Sequence, residues 1–206
     1  MATECLLDSI RACRICAPVL PVVPRPVLQF HRSARILIAS QAPGRIVYEI
    51  GIPFNDRSGD RLREWMGVKR EQFYDERLFA IAPMGFCFPG AGKSGDLPPR
   101  RECARRWRLR LFDQLPQIEL MVLVGGYAQR WHLGRSAGSS VTETVRAWRN
   151  ILERPGPCRC LPVPHPSWRN NGWLKANPWF EVELLPCLRR EVRHLLGSEP
   201  SSGRVL

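Results

Sequence analysis

Three groups of residues in this sequence could do chemistry. The first is His165, held between Pro164 and Pro166 just after an apolar run. An imidazole placed there can donate a hydrogen bond to a developing anion or pass a proton near neutral pH. The second is Ser40-Gln41-Ala42-Pro43-Gly44, where the apolar run "RILIAS" breaks into proline, glycine and polar residues just as a helix should begin. Such a turn aims the backbone amides of Gln41 and Ala42 at a small polar or anionic ligand, and Gly44 permits its close approach. The third is the set of 8 cysteines, two of which, Cys13 and Cys16, form a C-x2-C pair. In a reducing compartment that usage points to metal, catalysis or plain burial rather than disulfides.

Four short apolar runs must position these groups: residues 35–40, 78–84, 120–126 and 158–164. Each is nearly continuous in Ile, Leu, Val and Ala, as a strand covered on both faces has to be. Helical patterns fall between them. "SGDRLREWMGV" spaces Leu62, Trp65 and Met66 helically behind a cap candidate, Ser58; "PRRECARRWRLRLFDQL" is amphipathic with Pro99 near its start; "YAQRWHL" opens a further helix. The last, 177–196, lines up Phe180, Leu184, Leu188, Val192 and Leu195 despite Pro186. Strands alternating with helices imply an α/β fold, a three-layer α/β/α sandwich around a central four-stranded parallel sheet. Ligands of such sheets sit beyond the carboxyl ends of the strands, where the unusual loops of this sequence also fall.

Composition bounds the rest. A chain of 206 residues with 44% hydrophobic content supports one core, expected over 1–197, with a polar tail at 198–206. Thirty-one Lys and Arg against 19 Asp and Glu give a net charge of +12, which suits a polyanionic partner, nucleic acid above all. No long apolar segment or signal peptide is visible, so a cytoplasmic protein with no membrane partner is expected. Lys93 and Ser94 look like a phosphate loop, but the first glycine of G-x-x-x-x-G-K-[ST] is missing, and no nucleophile elbow is present. Contacts to a nucleic-acid backbone are the better use of Ser58, Lys93, Ser94 and Ser167.

The pair of motifs at 40–44 and His165-Pro166-Ser167, with Pro53-Phe54 and Arg57-Ser58-Gly59 between them, resembles the uracil-DNA glycosylase superfamily. It is most like the iron-sulfur branch, over roughly residues 6–195. That resemblance implies a monomeric, monofunctional DNA glycosylase that removes uracil or a related deaminated base from DNA and so begins base excision repair. It also implies that Cys13 and Cys16, with Cys87 and Cys103 fifteen residues apart, hold a structural 4Fe-4S cluster. By ligand chemistry alone, zinc would accept the same four thiolates. The other four cysteines show no such pattern.

Cutting an N-glycosidic bond leaves an oxocarbenium-like sugar while negative charge builds on the departing base, which must be held outside the duplex. By resemblance, His165 stabilises the leaving base, Phe54 stacks on it, and Gln41, Ala42 and Gly44 form the turn against it. Trp168, with Arg169 beside it, is the bulky residue available to wedge the stack. Two departures stand out. Ala42 occupies the place of an aspartate found in other branches, which leaves Glu49 as the carboxylate to position water. The family's base-reading asparagine before the second cysteine pair is missing too, so Asn55 or the backbone of Met84, Gly85 and Phe86 is expected to read the base. A DNA-binding module of the same fold without excision is the alternative.

Overall fold

The four apolar runs do pair as parallel strands, and their alternation decides what lies on each face. The computed structural model describes residues 2–93 and 95–197; Ser94 and the expected tail at 198–206 lie outside them, as do the side chains of Ala2 and Thr3. Helix α1 (Ala2–Arg11) leads through an irregular segment to β1 (Ile36–Ala39). The helices α2 (Arg45–Ile50), α3 (Arg57–Met66) and α4 (Arg70–Phe73) come next, and then β2 (Phe79–Ile81). A small antiparallel hairpin, β3 (Ala91–Gly92) and β4 (Gly95–Asp96), precedes α5 (Arg101–Phe112) and β5 (Leu120–Val124). The chain continues through α6 (Gly125–Leu133), α7 (Val141–Arg146) and α8 (Trp148–Leu152) to β6 (Arg159–Val163). It ends in α9 (Asn171–Ala176), a π-helical turn (Phe180–Leu184) and α10 (Leu185–Gly197).

The main sheet runs β2-β1-β5-β6, all parallel, with Ile38 opposite Ile81 on one side and Val122 on the other. Side chains alternate across it, as strand geometry requires. Ile36, Ile38, Leu120, Val122 and Val124 pack with Leu62, Trp65, Trp148, Leu188 and Val192. Leu37, Ala39, Met121 and Leu123 face Leu6, Ile10, Trp107, Leu111 and Ala128. The sheet is thus covered on both faces, which is why its strands read as unbroken apolar runs.

Two expectations are corrected in detail. Helix α3 is capped by Asp56, whose carboxylate accepts from the Gly59 amide at 2.9 Å, rather than by Ser58. The closing segment keeps its predicted stripe, with Phe180, Leu184, Leu188, Val192 and Leu195 all at most 2% exposed, but it is not one regular helix. Pro186 has no amide proton, and the turn before it widens so that Leu185 N donates to Phe180 O five residues back. No helix among the described residues is long and apolar enough to cross a membrane.

Candidate functional site

At the carboxyl ends of the strands the sheet opens into a cleft of about 720 Å³. Its walls include Ser40 to Gly44 after β1, Pro83 after β2 and His165 to Asn170 after β6, apart from Pro166, with Pro53, Phe54 and Asp56 to Ser58 at the entry to α3. Behind His165 a second cavity of about 290 Å³ reaches the Gly125-Gly126 turn after β5 and shares Gln41, His165 and Asn170 with the first. All four strand ends therefore meet around one histidine.

Local hydrogen bonds fix that histidine. Gln129 of α6 donates to the carbonyls of Leu123 (3.3 Å) and Val163 (2.9 Å), tying the ends of β5 and β6 together. Past Pro164, Asn170 Nδ2 donates to the His165 carbonyl at 2.6 Å, and Arg61 of α3 donates to Ser167 O at 3.2 Å and Asn171 Oδ1 at 2.9 Å. Burial pushes the His165 imidazolium below the ordinary histidine range, only partly countered by the Asp56 carboxylate. The ring is neutral at physiological pH, a donor of an N–H without a net charge.

Phe54 is the one non-glycine residue with positive φ among the described residues, at 54°. A left-handed phenylalanine costs on the order of 1–3 kcal/mol and persists only where its surroundings over-determine it. Here they do. Arg63 donates to its carbonyl at 3.3 Å, its ring meets Phe73 edge-on at 6.3 Å, and Gly59 leaves room for the carbonyl: a Cβ there would sit 1.6 Å from Phe54 O. The ring is 9% exposed and forms a floor between core and cleft.

The first turn is also unlike a plain loop. The Gln41 and Ala42 amides donate to no protein group among the described residues, so they remain open to a ligand. The Gln41 side chain does not: its Nε2 donates to Leu97 O at 3.0 Å, holding down the far end of the β3-β4 hairpin. That contact brings Asp96 over the turn, where a Cβ on Gly44 would lie 3.2 Å from Asp96 Oδ2. Partial desolvation, and to a lesser degree Asp56, raises the Asp96 carboxyl above its ordinary range, against the pull of Arg169.

Of the residues expected from the sequence, the cleft gathers His165, Gln41, Ala42, Gly44, Phe54, Ser58, Ser167, Trp168 and Arg169. Trp168 stands 68% exposed at its loop tip with the Arg169 guanidinium 5.4 Å from its ring centre. Others stand elsewhere. Glu49 points away on α2, exposed and paired with Arg45 at 3.6 Å. Asn55 gives its side-chain oxygen to Arg70 at 2.8 Å. Met84 and Gly85 are not on the cleft wall: their amides donate to Ser40 O (2.8 Å) and Gln41 O (3.0 Å), and Phe86 N donates to Cys103 Sγ at 3.4 Å. All three amides proposed to read the base are therefore already engaged. Lys93 lies at the exposed tip of the hairpin, off the cleft wall, and Ser94 lies outside the described residues. Asp56 and Asp96 are the carboxylates that sequence reasoning missed. The first hid as a helix cap, the second in a glycine-rich run that drew attention to its lysine.

Cys13, Cys16, Cys87 and Cys103 line one apolar cavity on the α1/α5 side of the sheet, together with Ile10, Trp107, Arg100 and Arg106. Burial drives Cys87 up to about 11 and Cys103 to about 12, so as thiols they stay protonated. Among the described residues no trio of His, Cys, Asp or Glu is grouped closely enough to hold a single metal ion. Cys158 and Cys160, two residues apart on β6, lie thiol to thiol on one face. Cys187 is buried and Cys5 exposed.

The uracil DNA glycosylase superfamily model matches residues 29–189, a span that holds the whole sheet, both cleft-forming motifs and the strained phenylalanine. The chain belongs to the uracil DNA glycosylase superfamily.

Proposed function

We propose that this protein is a monofunctional DNA glycosylase that hydrolyses the N-glycosidic bond of uracil, or of a related deaminated base, turned out of DNA into the cleft. One observation carries the reading: a neutral, fixed His165, the Phe54 ring and the open Gln41 and Ala42 amides face one cleft at the carboxyl ends of the strands. The Phe54 face supports a planar base. The amides and the His165 N–H donate to base oxygens that gain negative charge as the bond breaks. A neutral donor suits this step, because it strengthens with the developing anion without holding the ground state equally well. Ser58, Ser167 and Arg169 line the cleft as donors for the phosphates on either side, and the net charge of +12 draws the polyanion in. Trp168 is exposed where a side chain could enter the stack.

The four cysteines fit a 4Fe-4S cluster as donors. They converge on one apolar cavity whose Arg100 and Arg106 side chains can balance a thiolate-rich group. A lone tetrahedral zinc draws four sulfurs to a single point, and the thiols as they stand are not grouped so closely. Bound there, the cluster would supply a structural crosslink between the α1 end and the 87–103 segment. Purified protein is expected to be brown; colourless protein with stoichiometric zinc would overturn the cluster.

The reading is tested with labelled oligonucleotides carrying one uracil, hypoxanthine or xanthine, paired or unpaired, cleaved by alkali after incubation. Strand cleavage at uracil supports it. Silence on every substrate from folded protein that still binds DNA would favour a lesion-binding module. One observation leans that way: Met84, Gly85 and Phe86 have spent their amides, and no asparagine replaces the missing base reader.

A further inference from the structure

We propose that Asp96 is the catalytic carboxylate that holds and deprotonates the attacking water, and that Gln41 is its positioning residue. The proposal rests on the glycosylase reading above, since it supplies what that reaction lacks. Hydrolysis needs an acceptor for a water proton, and the first turn offers only Ala42. Glu49 faces solvent on α2. Asp56 lines the cleft but is committed to capping α3 through the Gly59 amide. Asp96 remains, and its carboxylate accepts no hydrogen bond from any described residue.

The hairpin that carries it is built to deliver it. Gly90 (φ 108°) and Gly95 (φ 143°) turn the chain where other residues would be strained, Ala91 pairs with Asp96, and Leu97 N closes back on Gly90 O at 2.8 Å. The Gln41 side chain then pins Leu97, the residue after Asp96, to the first turn. Gly44 is the complementary element, since any side chain there would crowd the Asp96 oxygen. The charged groups facing Asp96 are Arg169, which favours the carboxylate, and Asp56, which opposes it; His165 shares the cleft. In the reaction the C1′–N bond breaks and its electron pair leaves on the base, beside His165. A water oxygen bonds C1′, and its proton passes to the Asp96 carboxylate and on to solvent while the free base takes one up. Water is added across one bond, and nothing is oxidised or reduced.

The experiment compares single-turnover excision by wild type, Asp96→Asn, Asp96→Glu, Gln41→Ala and Glu49→Gln on the base that wild type removes, with duplex affinity and melting temperature measured alongside. Asp96→Asn should lose about 100-fold or more in rate, bind DNA as wild type does and lose the acidic limb of the pH–rate profile. It should also melt no lower than wild type at neutral pH, since it removes a charge that burial disfavours. Asp96→Glu should restore part of the rate, Gln41→Ala should slow excision about tenfold with affinity unchanged, and Glu49→Gln should behave as wild type. An Asp96→Asn protein that excises normally, or that loses DNA binding and melts early, overturns the proposal alone. Wild type silent on every base overturns it together with the glycosylase reading.

Discussion

The open cleft and the cysteine cavity lie on either side of the segment that follows β2, yet they treat polar groups in opposite ways. Around the cysteines the main chain is satisfied: Phe86 N donates to Cys103 Sγ, Val27 N to Phe86 O, and the fully buried Arg108 donates to Pro83 O at 3.3 Å, to Ala82 O and to His132. In the cleft, groups are left open or held under strain. Two amides lack partners, a phenylalanine is forced to positive φ, an imidazole is kept neutral, and a carboxylate is lifted above its normal range. The contrast teaches where each region's free energy goes: one holds the fold, while the other keeps unsatisfied groups ready for a ligand.

The contrast breaks first at His165. Replacing it with Ala should lower excision by about 100- to 1,000-fold, the loss expected for one donor to a developing anion, with duplex affinity and melting temperature nearly unchanged. Equal losses of affinity and rate would move His165 from the cleft's chemistry to its architecture. Gly59→Ala is next. Its Cβ would collide with the Phe54 carbonyl, so the strained turn must move, at about 3 kcal/mol or roughly 6–12 °C of melting temperature. A variant that melts like wild type would show that Phe54 is not held as described.

Much of this was legible in the sequence, for reasons that differ by region. The strands and their order of appearance showed because both faces of the sheet are covered, so each strand is an apolar run. The cleft motifs showed because proline and glycine mark where strand becomes loop, and His165 is flanked by both its prolines. What stayed hidden depends on contacts between distant segments. Nothing near Asp96 says that Gln41, more than fifty residues earlier, will pin its hairpin over Gly44. Glu49 looked like the available acid because it is near the turn in sequence, but six residues of helix α2 carry it round to solvent. The amides of Met84 and Gly85 seemed free until β1's outgoing loop claimed them.

The smallest effect sharpens the comparison through pH. Burial, with Arg108 beside it, drives His132 down to about 3, and burial lowers His165 as well. A histidine whose folded pKa is depressed gives stability that is present above its unfolded value near 6.5 and is lost as pH falls below it, because only the unfolded chain then takes up the proton. Denaturant midpoints should therefore decline steadily from about pH 6.5 to pH 4. The slope should flatten in His132→Gln, which keeps an acceptor for Arg108, and an unchanged slope would place the proton uptake elsewhere.

The wide turn before Pro186 has a consequence for how this chain can vary in length. It contains one residue more than a regular helix would use between Phe180 and Leu185. Dropping a single residue there would rewind the segment and rotate α10 by roughly 100° about its axis. Leu188, Val192 and Leu195 would then turn away from α3, and the helix whose first turn holds Arg57 and Ser58 at the cleft would lose its backing. Substitutions are absorbed locally in such a segment; a change of count is not, so insertions and deletions should be tolerated in the surface loops and not between Phe180 and Leu185.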